Sequence, residues 1–119
     1  MNAEEIIRLK KKALYISLES KDLFGKFFYK SILHNAVIME VFSKNNFDGI
    51  SFEKLCSNIP KVLGSRSSIQ NLLNEGLDKK ILKKIESDKD KRIKNYYLSD
   101  EFSNLVIDWL KKQKNIFNH

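Results

Sequence analysis

Apolar residues recur at intervals of three and four along most of this 119-residue chain, a spacing that is typical of amphipathic helices. Six segments show this period, and each is predicted to form a helix: Ala3–Leu18 and the segments 22–29, 31–44, 52–59, 65–79 and 99–119. Two shorter runs, 81–86 and 93–98, have the character of strands. The polar, charged segment 87–92 lies between them and predicts a β-hairpin. Ile50 is expected to add a short third strand to this hairpin.

The fifth predicted helix has two faces of different chemistry. Its apolar face comprises Ile69, Leu72, Leu73 and Gly76. Its opposite face comprises Ser67, Gln70, Asn71 and Asn74. Amide side chains of this kind can form hydrogen bonds with base edges. A helix with such a face, followed by a basic hairpin, is the arrangement with which a winged helix-turn-helix binds DNA. The pattern therefore predicts a mainly α fold with a small β-hairpin wing.

The distribution of charge supports a surface that binds phosphate. The chain carries a net charge of +7, and residues 79–94 contain eight lysines and arginines against three acids. A lysine-rich surface can also be merely solvated, but here the charge coincides with the helix–hairpin pattern, which favours nucleic acid as the partner. A second cluster in the first helix, Arg8 and residues 10–12, is interpreted as a solvated face.

Three short motifs resemble the DNA-binding half of MarR-type winged-helix regulators, and the chain length is similar to that of their short Sar-type relatives. They are Ser65-Arg66-Ser67-Ser68 at the start of the recognition helix, Asp90-Lys91-Arg92 at the wing tip, and Leu98-Ser99-Asp100-Glu101 after the second wing strand. The resemblance implies that Arg92 enters the minor groove and that Asp90 orients it. The chain departs from the family pattern at Lys80-Ile81, where Gly-Leu is usual, and in its longer turn 60–64.

These observations predict a sequence-specific, dimeric transcription regulator that binds double-stranded DNA. Helix 65–79 would lie in the major groove, and the wing 81–98 would contact the backbone and the minor groove. The expected DNA-contacting residues are Ser65, Arg66, Ser67, Ser68, Gln70, Asn71, Asn74, Lys83, Lys84, Lys89, Asp90, Lys91, Arg92 and Lys94.

Both terminal helices are more apolar than a small domain of this kind can cover, so a partner subunit is expected to cover them. The resemblance implies the same, because the terminal helices form the dimer interface in the MarR and Sar families. The expected interface residues are Ile6, Ile7, Leu14, Trp109, Leu110, Ile116 and Phe117. Trp109 is the expected anchor, because large aromatic side chains dominate interface energetics.

The cysteine content and the motifs that the sequence lacks indicate which classes of protein to exclude. The single cysteine, Cys56, lies at an apolar helical position and is predicted to pack, and a lone cysteine favours the reducing cytoplasm. Neither a long apolar run nor a basic signal peptide is present, so no membrane segment is expected. Because the sequence has no catalytic constellation and no metal-ligand spacing, we expect no enzyme activity, cofactor or metal. His34 is predicted to be a surface or capping residue.

We therefore expect one domain over residues 1–119, with N-terminal helices in 1–30, a winged-helix core in 31–98 and a C-terminal helix in 99–119. Two alternatives use the same module: a replication or partition initiator, and a winged-helix protein-interaction module. The salt dependence of DNA binding separates the last of these from the DNA-binding functions.

Overall fold

Six α-helices and a three-stranded antiparallel sheet form the described part of this computed structural model, which comprises residues 2–18 and 23–118. The elements are α1 (Ala3–Leu18), α2 (Leu23–Phe28), α3 (Ile32–Lys44), β1 (Ile50–Ser51), α4 (Phe52–Asn58), a 3₁₀ turn (Lys61–Leu63), α5 (Arg66–Asp78), β2 (Leu82–Glu86), β3 (Lys94–Leu98) and α6 (Asp100–Phe117). The predicted mainly α winged helix is confirmed. The predicted start of the second helix at Asp22 lies outside the described residues.

Serine side chains determine where four of the helices begin. Ser31, Ser51, Ser65 and Ser99 each have extended backbone, and each hydroxyl accepts a hydrogen bond from the backbone N–H three residues later. These bonds satisfy donors that the first turn of a helix leaves free. A serine directly before an amphipathic run predicts an N-cap at Ser51, Ser65 and Ser99, and the structure confirms all three. The cap at Ser31 separates α3 from α2.

The sheet has the order β1-β3-β2, with β3 in the centre. In β2 and β3, Leu82 pairs with Leu98 and Glu86 with Lys94. On the other side of β3, Ile50 pairs with Tyr96, as expected for a short third strand. Gly49 has a φ of +71°, and a Cβ there would lie 2.7 Å from the Tyr97 ring, so glycine allows the chain to enter β1.

The core lies between the helices and one face of the sheet, and α5 contributes its predicted apolar face to it. Ile69, Leu72, Leu73 and Gly76 are all buried, as predicted from their spacing. A Cβ at Gly76 would lie 2.6 Å from Leu82 Cδ1, so the missing side chain allows α5 to pack closely against β2. Lys80, which connects the two elements, has the left-handed φ of 59° that glycine adopts more easily.

The terminal helices α1 and α6 pack against each other beside this core. Leu9, Ala13 and Ile116 form a separate buried cluster between them. Ser17 adds a buried polar contact, because its hydroxyl accepts hydrogen bonds from Trp109 Nε1 (2.8 Å) and Gln113 Nε2 (3.1 Å). No helix in the described ranges is long and apolar enough to cross a membrane.

Two of the expected interface residues have packing partners within the protomer. Trp109 is only partly exposed, because its ring packs against Phe24 and Phe28 at centroid distances of 5.6 and 5.0 Å. Ile116 is buried within the α1–α6 cluster. Both side chains therefore have partners within the protomer. Helix α1 runs beside α6 and covers positions that helical spacing alone left unpartnered.

Candidate nucleic-acid interface

The polar face of α5 lies at the surface, as expected. Ser67, Asn71 and Asn74 are exposed, and Gln70 is half-buried. The Gln70 amide donates to Asn74 Oδ1 at 3.1 Å, one helical turn away. This bond holds two amide side chains in a common orientation on the exposed face of the helix.

An ion pair stands at the N-terminal end of α5. The guanidinium of Arg66 donates through Nη1 to Glu53 Oε2 (3.0 Å) and through Nη2 to Glu53 Oε1 (2.5 Å). Its central carbon lies 5.0 Å from the centroid of the Phe52 ring. The hydrogen bond lowers the pKa of Glu53 and raises that of Arg66. Sequence analysis missed Glu53 because it lies on α4, thirteen residues before Arg66.

The wing tip brings together the two residues of the predicted Asp-x-Arg motif. Asp90 Oδ1 accepts from the backbone N–H of Arg92 at 3.0 Å and from its Nε at 3.1 Å, and Asp90 Oδ2 accepts from Nη2 at 3.0 Å. These bonds lower the pKa of Asp90 and raise that of Arg92. The Arg92 side chain is nevertheless 90% exposed, so its outer edge is open to a ligand.

The five lysines of the wing have three kinds of surroundings. Lys83 and Lys89 face acids, Asp100 and Asp48 respectively, each at 3.5 Å. Lys84 Nζ lies 5.4 Å from the Tyr96 ring centroid, while Lys91 and Lys94 are exposed and form no ion pair within the described residues. The exposed ion pairs of Lys83 and Lys89 are weak, so these two lysines are not committed to their acids.

A second charged cluster connects the C-terminal end of α5 with the start of α3. We call it the Glu75 network, and it comprises Lys30, Ser31, His34, Glu75 and Lys79. Glu75 Oε2 accepts from Lys30 Nζ and lies 3.4 Å from Lys79 Nζ. Glu75 Oε1 lies 2.8 Å from His34 Nε2, and His34 Nδ1 lies 2.6 Å from Ser31 Oγ. The Lys30 and His34 hydrogen bonds lower the pKa of Glu75 to about 2.

The sequence predicts that His34 is a surface or capping residue and that Cys56 packs against the core. His34 lies in the first turn of α3 and contacts the Ser31 hydroxyl, which agrees with the capping alternative predicted for it. Its side chain is 12% exposed, and its ring packs edge-on against Phe27. Cys56 packs against the core, as predicted, and burial raises the pKa of its thiol. No cluster of three metal-binding side chains occurs among the residues that the structure describes.

The terminal helices carry exposed apolar side chains on their outer faces. Ile7 is the most exposed of the expected interface residues, at 57%. The others that remain exposed are Ile6, Leu14, Leu110 and Phe117, and Tyr15 and Ile16 extend the group. Five of the seven expected interface residues are therefore available at the surface.

Comparison with solved structures finds the same fold. The described chain is similar to S. aureus MepR bound to ethidium bromide, with a TM-score of 0.63 and 21% identity over 99% of this chain and 76% of that one. It is also similar to the transcriptional regulator BldR from Sulfolobus solfataricus, with a TM-score of 0.52 and 18% identity over 99% and 84% of the two chains. The transcriptional regulator SlyA matches with a TM-score of 0.52 and 15% identity over 95% and 72%. Neither the protein-family models nor the curated proteins include a match to this sequence.

Proposed function

Because the chain has the winged-helix fold of the MarR-type regulators, we propose that it is a dimeric, sequence-specific DNA-binding regulator of transcription. Helix α5 would lie in the major groove of double-stranded DNA, and the wing would contact the backbone and the minor groove. The observation that carries this proposal is the uncovered polar face of α5, which lies opposite a fully buried apolar face.

Base recognition is assigned to the amide side chains of α5. Asn and Gln present a donor and an acceptor side by side, and this pair matches N6 and N7 of adenine in the major groove. Asn71 and Asn74 are exposed, and Gln70 is linked to Asn74. The hydroxyls of Ser65, Ser67 and Ser68 lie at the N-terminal end, where backbone N–H groups and the helix dipole favour a phosphate.

The wing is assigned to non-specific affinity and to the minor groove. Arg92 combines high exposure with a guanidinium oriented by Asp90, so it loses less conformational freedom on binding than a free arginine side chain. Lys83, Lys84, Lys89, Lys91 and Lys94 would neutralise phosphates and release counterions, which makes binding dependent on salt.

Dimerisation is assigned to the outer faces of α1 and α6. Ile6, Ile7 and Leu14 on α1 and Leu110 and Phe117 on α6 are exposed apolar side chains on two helices that already pack together. A two-fold axis through this surface would bury both sets at once. Two copies of α5 would then be spaced to contact successive turns of the major groove.

Selection of bound sequences from random DNA, followed by a salt titration on the selected site, tests the function. Gln70→Ala and Asn71→Ala should relax the base preference and leave non-specific binding nearly unchanged. The contrasting variant Lys91→Ala should weaken binding to every sequence and flatten the salt slope. Absence of binding at low salt would contradict the proposal and favour a protein-interaction module.

Light scattering at micromolar concentration tests the dimer. Ile7→Glu should shift the wild-type dimer towards monomer, because it places charge in the proposed interface. Ile32→Glu is the matched control, since Ile32 is an exposed apolar residue on α3, a helix that is not part of the proposed interface. A monomeric wild type that binds its selected site with full affinity would contradict dimerisation.

A further inference from the structure

We propose that Glu53 is a positioning residue for base recognition, because it holds the Arg66 guanidinium as a fixed hydrogen-bonding fork at the N-terminal end of α5 for contact with a guanine. The inference rests on the proposed function and adds a determinant of base preference that lies outside the recognition helix.

Arg66 is restrained on two sides. The bidentate bonds to Glu53 fix the plane of the guanidinium, and the Phe52 ring lies 5.0 Å from its central carbon. Both Glu53 and Phe52 belong to the first turn of α4, whose start is fixed by the Ser51 cap. The orientation of Arg66 is therefore set by a second helix, and a free arginine side chain on the surface would lack this constraint.

The restrained guanidinium retains the donors that a base contact needs. A guanidinium carries five N–H donors, and the two bonds to Glu53 use two of them. Two parallel donors are sufficient for O6 and N7 of guanine, which is the commonest specific contact of arginine in the major groove. The Arg66 side chain as a whole is 61% exposed, which leaves space for a ligand beside the Glu53 contact.

Removal of the Glu53 charge could affect DNA binding in two ways. Its carboxylate is exposed beside a surface that would face phosphates, so electrostatics alone predicts that its removal strengthens binding to any DNA. A positioning role predicts that its removal weakens the selected site relative to other sequences, because Arg66 then becomes mobile. The two roles are distinguished by whether the ratio of specific to non-specific affinity stays unchanged or falls.

The experiment compares wild type, Glu53→Gln, Arg66→Ala and the double variant on the wild-type selected site and on a scrambled duplex. Glu53→Gln should lower the ratio of specific to non-specific affinity about 10-fold and relax a guanine preference at one position. Arg66→Ala should lose the same guanine preference. The double variant should be no less specific than Arg66→Ala alone, since Glu53 acts through Arg66.

Asp78→Asn is the matched control, because it removes one exposed negative charge from the other end of α5. It should leave the base preference unchanged, and circular dichroism verifies that every variant is folded. The inference is overturned if Glu53→Gln strengthens binding to both duplexes by the same factor and selects the same sequence as wild type. If wild type selects no sequence at all, the proposed function fails as well.

Discussion

Replacing Glu75 by Gln measures how much the Glu75 network contributes to the stability of the fold. The substitution keeps the size of the side chain and removes its negative charge. Glu75 faces two lysines and His34, and its own side chain is 24% exposed. Loss of the charge weakens the connection between α5 and the segment that precedes α3.

The pKa of Glu75 gives the size of the effect. A change from the ordinary value of 4.5 to about 2 corresponds to about 3 kcal/mol if the whole shift is realised as stability. Solvent screening reduces this contribution, because Lys30 and Lys79 are each about half exposed. We therefore expect Glu75→Gln to lower the free energy of unfolding by about 1–2 kcal/mol at pH 7.

The pH dependence provides the sharper measurement. A carboxyl group with a lowered pKa in the folded state stabilises the protein above pH 4.5, and this stabilisation disappears as the pH falls from 4.5 towards 2. Urea unfolding followed by the fluorescence of the single tryptophan gives the free energy at each pH. The difference between wild type and Glu75→Gln should shrink as the pH falls below 4.5.

Glu86→Gln is the matched control, since Glu86 is an exposed carboxylate that forms no ion pair within the described residues. Its effect should be within about 0.5 kcal/mol at pH 7. The argument is refuted if the stability difference for Glu75→Gln at pH 3 equals that at pH 7. It is also refuted if the two variants have the same stability at pH 7.

Three further predictions concern other parts of the chain. Lys80→Gly should raise the free energy of unfolding by about 0.5–1 kcal/mol, because glycine adopts the left-handed backbone at this position without the steric cost of a Cβ. A lower stability in urea unfolding would contradict this. Trp109→Ala should lower the free energy of unfolding by about 2–4 kcal/mol, because it removes packing and the hydrogen bond to Ser17. Thermal unfolding measures this loss, and unchanged stability would contradict the packing of Trp109 within the protomer. Arg92→Ala should weaken binding to the selected DNA site by about 1–3 kcal/mol, and Asp90→Ala by less. Equal affinity of wild type and Arg92→Ala throughout a salt titration would exclude the wing from DNA binding.

Local patterns in the sequence were sufficient to predict the elements of this fold. The apolar face of α5 lies where its three- and four-residue spacing indicated, and the caps at Ser51, Ser65 and Ser99 lie where serine precedes an amphipathic run. The Asp90–Arg92 contact was expected from the resemblance to the MarR-type wing motif, and the two residues are close neighbours in a short turn. These features depend on interactions within a few residues, and such interactions are encoded locally.

Contacts between distant segments were decided only by the tertiary structure. Glu53 meets Arg66, Glu75 meets Lys30, and Trp109 meets Ser17 because segments that are distant in the sequence pack together. No periodicity specifies which polar residues will then face each other. The same packing gave Trp109 and Ile116 partners inside the protomer. A helical pattern shows that an apolar face needs a cover, but the three-dimensional packing determines whether that cover comes from the same chain or from a partner.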